Sequence, residues 1–250
     1  MNTYKTADIA KMIGIHVNTV RLYEDCGLIS KPERAPNGYR IFTDIHLEQF
    51  RLARAALKVE VLQNGLRRQA VDIIKASAAG EYKKAEQLIQ AYVTQIEAEK
   101  SNAEEAIKIT RSMLSTMEKI PDDDSVHFTR REAAEHLGVT MDTLRNWELN
   151  GLFSIKRKAN GYRVYTTGDI QRLKIIRALR CANYSLSSIL RMLGALSADP
   201  QADIRRIIDT PHGDEDIITA CDRLLTSLHE AGENARFAAA QIEKLKNMSK

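Results

Sequence analysis

Aromatic residues and cysteines are scarce in this chain of 250 residues, and long apolar runs are missing. Aromatic side chains make up 6% and charged side chains 28%, a balance that favours a helix-rich protein over a β-sandwich. The cysteines, Cys26, Cys181 and Cys221, are odd in number and lack C-x-x-C spacing, which argues against a disulfide framework. No apolar run reaches the roughly 18 residues that a membrane helix needs, and residues 1–14 contain no apolar signal core. We therefore expect a cytoplasmic protein without a membrane partner.

Signatures of catalysis and of metal binding are also missing. The sequence has no H-x-x-x-H spacing, no glycine-rich phosphate loop and no nucleophile–base string, so we expect no enzyme and no cofactor. Cys221 is the strongest candidate for a metal ligand, but soft metals require several nitrogen or sulfur ligands and the loop 121–125 offers no Cys or His. We expect no metal site, with Cys221 as a small residue in a helix seam and Cys26 and Cys181 as packing residues.

The chain does contain an internal repeat. Residues 37–43 read Asn-Gly-Tyr-Arg-Ile-Phe-Thr, and residues 160–166 read Asn-Gly-Tyr-Arg-Val-Tyr-Thr. Upstream, Thr19–Val20–Arg21 matches Thr143–Leu144–Arg145. The sequence therefore holds two copies of a unit of roughly seventy residues.

The first copy predicts a winged helix-turn-helix. Ranges 6–14 and 17–26 show helical spacing, the first capped by Thr6, and a glycine ends each helix. Two short helices across a tight turn form a helix-turn-helix. Asn37–Gly38 is a strong hairpin-turn signal and predicts a two-stranded wing. Further helices are predicted over 45–58 and 62–76.

The second copy predicts the same elements with clearer signals. Thr129 and Glu132 form a T-x-x-E capping box before the first helix. The second helix of the helix-turn-helix is predicted over 141–150. Thr167 and Ser185 are predicted to cap the next two helices.

A long helix follows each copy. Apolar residues recur at alternating intervals of four and three through both, which predicts coiled-coil seams with alanines in the middle. An antiparallel pair would place alanine against alanine, and the polar seam residues would help to set the register. The predicted seam residues are Ala85, Ile89, Tyr92, Ile96, Glu99, Ala103, Ala106, Thr110, Met113, Met117 and Ile120, then Ile217, Cys221, Leu224, Leu228, Ala231, Ala235, Ala238, Ile242 and Leu245.

The fold class that follows is mainly α, with two winged helix-turn-helix domains, each followed by a long coiled-coil helix. The joint at 121–125 spans at most about 17 Å, so the second domain must begin where the first long helix ends. The predicted segments are the first winged domain 1–78, long helix 79–120, acidic linker 121–125, second winged domain 126–197, loop 198–213 and long helix 214–250.

Residues 4–74 and 127–196 each resemble the DNA-binding domain of the MerR family of bacterial transcription regulators. The motif that carries the resemblance is T-[VL]-R-x-[YW]-E, followed by G-L and then by G-Y-R-x-[YF]. The resemblance implies a dimer paired through antiparallel long helices, which distorts an overlong promoter spacer and acts with RNA polymerase. Segment 61–65 lacks the family's Gly-Phe-Ser-Leu lead-in, and Asn146–Trp147 replaces a pair of aromatics.

Tandem copies depart from the family's habit of one such domain per chain. With antiparallel long helices, the end of one helix lies beside the other DNA-binding unit, where a short joint suffices. One chain is therefore expected to form an intramolecular pseudo-dimer rather than a homodimer with four heads.

The motifs also place the candidate DNA contacts. The net charge is only +4, so the prediction depends on where the basic residues lie. Arg21 and Arg145 fall early on the recognition helices, where side chains reach bases in the major groove. Arg40 and Arg163 follow the wing turns, where a guanidinium meets phosphate.

For the aromatic residues in the motifs, two roles stay open. Tyr23 and Trp147 either touch the DNA backbone or pack in the core, and Tyr39 and Tyr162 either pack in the wing or touch phosphate. The predicted DNA-binding set is Thr19, Arg21, Tyr23, Lys31, Arg34, Tyr39, Arg40, Thr143, Arg145, Trp147, Lys156, Arg157, Lys158, Tyr162 and Arg163.

The function expected from these observations is sequence-specific binding of double-stranded DNA by a transcription regulator. Because the two heads differ, the operator is expected to be an imperfect palindrome with unequal half-sites, and a small-molecule effector is left undefined. Two alternatives stand beside it: an architectural or recombination-accessory protein that bends DNA, and a helical adaptor whose second head binds protein.

Overall fold

The computed structural model describes residues 2–58, 65–117, 126–155, 163–211 and 220–249. Helices account for most of these residues, so the fold is mainly α as predicted. They divide into two compact units, one of Met1–Ala98 with Ser227–Lys250 and one of Glu99–Thr226. Several predicted features lie outside the described residues: the segment 61–64, the joint 121–125, the seam positions Ile120 and Ile217, and the wing residues Lys156, Arg157, Lys158 and Tyr162.

The first unit begins with the predicted winged domain. Its elements are β1 (Thr3–Tyr4), α1 (Thr6–Ile13), α2 (Val17–Asp25), β2 (Glu33–Arg34), β3 (Arg40–Thr43), α3 (Asp44–Ala56) and α4 (Leu66–Ala78). The strands form an antiparallel sheet in the order β1-β3-β2. The sequence predicted only the two wing strands. The structure adds β1 to these strands. The Tyr4 hydroxyl stabilises β1 by donating to Asp44 Oδ1 at 2.8 Å.

The helix-turn-helix depends on a glycine and on an apolar core. Gly14 ends α1 with a φ of 72°, a left-handed conformation that lets the chain turn into α2. The sequence predicted that Thr6 caps α1, and this prediction is wrong. Lys5 takes that position, and its N–H donates to the carboxylate of Asp8 at 2.8 Å. The core consists of fully or nearly buried apolar side chains, among them Ile9, Val20, Phe42, Phe50 and Leu52.

The second unit repeats this plan. Its elements are α6 (Arg130–Leu137), α7 (Met141–Leu149), α8 (Thr167–Cys181), α9 (Leu186–Ala198), α10 (Ile204–Ile208) and a 3₁₀ turn at Ala220–Arg223. The predicted capping box is present, because the N–H of Thr129 donates to Glu132 at 2.7 Å. Ser185 caps α9 as predicted, whereas Thr166 rather than Thr167 caps α8.

The segment predicted as a loop at 198–213 contains α10, which a buried arginine holds in place. Arg191 is 9% exposed and donates to the carbonyls of Ile207 at 2.8 Å and Asp222 at 2.9 Å. The carboxylate of Asp209 then accepts from the N–H groups of Leu225 and Thr226. The loop prediction failed because a helix of five residues is too short to show periodicity.

Two long helices, α5 (Tyr82–Met117) and α11 (Leu224–Met248), lie within the ranges 79–120 and 214–250 predicted for long helices. Within the first unit, the end of α11 runs antiparallel to the start of α5. Lys246 Nζ lies 2.6 Å from Glu86 Oε1, and the hydroxyls of Tyr82 and Ser249 lie 2.9 Å apart. The predicted seam residues in this stretch are buried: Ala85, Ile89, Tyr92, Ile96, Ala231, Ala235, Ala238, Ile242 and Leu245.

In the second unit, the later part of α5 is bound to the second head. Ala103, Ala106 and Thr110 are buried, and the Tyr184 hydroxyl donates to the carbonyl of Ala103 at 3.3 Å. Glu99, predicted as a polar seam residue, accepts from the side-chain amide of Asn183 at 3.2 Å.

The helix that follows the wing is capped differently in the two units. In α8, Asp169 accepts the N–H of Thr166 at 2.9 Å. At the equivalent position in α3, Nδ1 of His46 accepts the N–H of Thr43 at 3.0 Å. His46 is 7% exposed, and burial lowers its pKa from 6.5 although the carboxylate of Glu24 opposes the shift. The fold therefore requires His46 to be neutral.

This difference predicts a pH dependence that belongs to the first head. With a lowered pKa in the fold, the stabilising contribution of His46 is fully present above about pH 6.5 and is lost as pH falls through the lowered value. His46→Asp should therefore reduce the loss of thermal stability between pH 7.5 and pH 5.5, since Asp169 performs the same capping in α8. His229→Gln, an exposed control, should not change that loss. An unchanged pH dependence in His46→Asp would contradict the capping role.

Candidate nucleic-acid interface

The second helix of each helix-turn-helix has one buried face and one exposed face. In α2, Val20 and Tyr23 are buried. The opposite face is an exposed stripe at helical spacing, formed by Asn18, Arg21, Leu22 and Asp25. In α7, Leu144 and Trp147 are buried, and the equivalent stripe is formed by Asp142, Arg145, Asn146 and Leu149.

Arg21 and Arg145 occupy the same position in these stripes. Both are exposed, and neither has an ion-pair partner in the part of the chain that the structure describes. A long cationic side chain on the exposed face of a second helix is positioned to enter a DNA major groove. Arg21 and Arg145, the two residues predicted to contact bases, therefore lie on accessible surface.

The predicted aromatic residues separate into two groups. Tyr23 is 7% exposed and stacks on Phe50 with ring centroids 5.5 Å apart, and Trp147 is 4% exposed. Their burial favours the packing role over contact with the DNA backbone. Tyr39 is 73% exposed at the wing, which favours contact with a partner. Thr19 and Thr143 are half-buried.

The wing arginines have carboxylate partners that the sequence analysis missed. Arg40 Nε is bonded to Glu24 at the end of α2, and Arg163 Nε lies 2.7 Å from Glu148 Oε2 at the end of α7. The same contact thus joins the second helix to the wing in both units. Hydrogen bonding to Glu148 raises the pKa of Arg163 further. The signal was present in the sequence, because the glutamate and the arginine recur together in both copies.

The remaining basic residues of the first wing are exposed. Arg34 donates to the carbonyl of Gly38 at 3.3 Å and lies 3.9 Å from Glu24. Lys31 is exposed ahead of β2. Lys31, Arg34 and Arg40 make the first wing basic, and Arg34 and Arg40 both lie against Glu24 of α2.

Metal binding finds no support among the described residues. They contain no group of three or more His, Cys, Asp or Glu side chains arranged to hold an ion. Cys221 is buried, and burial raises the pKa of its thiol, which disfavours the thiolate that would bind a metal. Cys26 and Cys181 are exposed, so their predicted packing role is wrong. No helix in the described ranges combines the length and apolar character needed to cross a bilayer.

The contact between Glu148 and Arg163 should contribute measurably to the stability of the second head. Charge-assisted hydrogen bonds with partly buried partners contribute about 1.5–3 kcal/mol, whereas exposed ion pairs contribute about 0.2–1 kcal/mol. We expect a double-mutant cycle of Glu148→Gln and Arg163→Gln, followed by urea unfolding, to give a coupling energy above about 1 kcal/mol.

The chain offers a reporter and a matched control for this cycle. Trp147 is the single tryptophan and lies next to Glu148, so its fluorescence reports on this head. The exposed pair Arg131–Glu135 lies in the same head with a separation of 2.9 Å. A coupling energy no larger than that of the control pair would contradict the structural role of the Glu148 contact.

Comparison with known proteins gives two family matches, one for each unit of the repeat. Residues 5–42 match the family model described as MerR family regulatory protein. Residues 128–196 match the model described as MerR HTH family regulatory protein. No solved structure matches the chain significantly.

Individual relatives match shorter or longer parts of the chain. The HTH-type transcriptional regulator CueR of Escherichia coli O157:H7 is 42% identical over 53 residues, which are 21% of this chain and 39% of CueR. ZntR of Escherichia coli K12 is 39% identical over 71 residues, 28% of this chain and 50% of ZntR. HmrR of Rhizobium leguminosarum bv. viciae is 32% identical over 102 residues, 40% of this chain and 74% of HmrR.

The chain spans about two fifths of the length of the CueR relatives but about three quarters of HmrR. With both copies of the repeat matched as well, the chain belongs to the MerR family and carries two MerR-type domains.

Proposed function

We propose that this protein is a transcription regulator that binds double-stranded DNA specifically through two recognition helices, α2 and α7. The observation that carries the proposal is the repeated site: an exposed arginine on the second helix, beside a wing arginine bonded to a glutamate of that helix. Arg21 and Arg145 contact bases, and the wings contact phosphates. The names of CueR, ZntR and HmrR as HTH-type transcriptional regulators support this function.

One chain supplies both heads in this proposal. The contacts within the first unit support it, because the end of α11 returns to the first head of the same chain. Lys244 Nζ lies 2.9 Å from Glu48 on α3, and Lys246 lies 2.6 Å from Glu86 on α5. A linker within one chain raises the effective concentration of the second helix to roughly the millimolar range, which favours pairing inside the chain over pairing between chains.

The operator would then be an imperfect palindrome within a promoter. The two stripes share their arginine but differ at their other positions, so the half-sites are unequal. As the family resemblance implies, binding would distort an overlong spacer and help RNA polymerase to use the promoter. Bound sites at recombination ends or scattered along the genome would favour the architectural alternative instead.

Arginine substitutions in the stripes test the function head by head. After selection of an operator with the full chain, Arg21→Ala or Arg145→Ala should lower operator affinity by about tenfold to a hundredfold, with little loss on random DNA, since each removes one base contact. Binding is measured by fluorescence anisotropy at fixed salt.

Arg131→Ala is the matched control, because Arg131 is exposed on α6 and its loss changes the charge equally. Unchanged operator affinity in both stripe variants would contradict the proposed recognition helices. An effect of Arg21→Ala alone would identify a second head that does not contact DNA, as the adaptor alternative requires.

A further inference from the structure

The first positions of the two exposed stripes differ in a way that bears on the bases they would contact. Asn18 and Asp142 are each the second residue of their helix and lie one turn before Arg21 and Arg145 on the same face. Both side chains are exposed. Because the arginines are equivalent, Asn18 and Asp142 face the same position relative to them in each half-site.

Neither side chain is used to cap its own helix. His16 caps α2 by accepting the N–H of Asn18 at 3.2 Å, and Thr140 caps α7 by accepting the N–H of Thr143 at 3.0 Å. Within the described parts of the chain, the side chains of Asn18 and Asp142 make no hydrogen bond. The polar groups of both are therefore available to a ligand.

The two side chains differ in hydrogen-bonding chemistry. The asparagine carboxamide donates and accepts, which matches the N7 acceptor and the N6 donor of adenine in the major groove. The aspartate carboxylate only accepts, which matches the N4 donor of cytosine and is repelled by the two acceptors of guanine. The same position in the two heads is thus equipped for different bases.

We propose that Asn18 and Asp142 are specificity-determining residues, which select adenine in one half-site and cytosine at the equivalent position of the other. The inference rests on the proposed DNA-binding function and gives the unequal half-sites a chemical cause. A role limited to the helix is the competing explanation, since a negative charge near a helix N-terminus is stabilising. Such a role would change thermal stability and leave the preferred base unchanged.

Reciprocal substitutions separate these explanations. The full chain, Asn18→Asp and Asp142→Asn are each used to select duplexes from a pool with a randomised two-half-site region. We expect the wild type to enrich adenine in one half-site and cytosine in the other. Asn18→Asp should replace that adenine by cytosine, and Asp142→Asn should replace the cytosine by adenine. Each variant should bind its own selected site about tenfold to a hundredfold more tightly than the wild-type site.

Asp72→Asn is the matched control, because it makes the same chemical change and removes one negative charge from the exposed surface of α4, outside both stripes. It should leave the selected bases unchanged. Variants that select the wild-type bases, whether or not their melting temperatures shift, would overturn the inference while leaving DNA binding intact. A wild-type chain that enriches no sequence would overturn the proposed function itself.

Discussion

The packing of the last helix against the start of the first long helix is the constraint that joins the end of the chain to the first head. In the first unit, Ile89, Ile96, Ile242 and Leu245 are all at most 5% exposed. Burial of one such side chain contributes about 1.5–3 kcal/mol, whereas the half-exposed pair of Lys246 and Glu86 contributes at most about 1 kcal/mol. The apolar seam therefore dominates the pairing, and the ion pair helps to specify its direction.

The features that could be predicted from the sequence are those that repeat or extend over many residues. The duplicated motif predicted two heads, and the long apolar seams predicted the two long helices α5 and α11. β1 and α10 could not be predicted, because a strand of two residues and a helix of five span too few periods to show a repeating pattern. Each depends on tertiary contacts, such as the hydrogen bond of Tyr4 to Asp44 and those of Arg191 to the carbonyls around α10.

The position of the stripe arginines on their helices could be predicted from the sequence, whereas the carboxylate partners of the wing arginines could not. Arg21 and Arg145 are exposed, as base contacts require, but the bond of Arg40 to Glu24 became visible only when the wing and the helix were folded together. Asn18 and Asp142 are not in the predicted DNA-binding set, because they lie outside the motif that the two copies share. The proposal of unequal half-sites therefore depends on the differences between the copies rather than on their identities.

The two heads keep a common frame while individual positions diverge within it. Glutamate-to-arginine contacts are retained in both, whereas the capping residue after the wing is His46 in one and Asp169 in the other. Two heads that are encoded separately in one chain can diverge in this way. The heads of a homodimer cannot, because one sequence must serve both half-sites.

The most direct test of the account is the mass of the complex with the selected operator, measured by light scattering. We expect one chain of 28.2 kDa on each two-half-site duplex, and a free protein of the same mass at low micromolar concentration. Two chains on each operator, or a free particle of about twice that mass held together through α5 and α11, would contradict it.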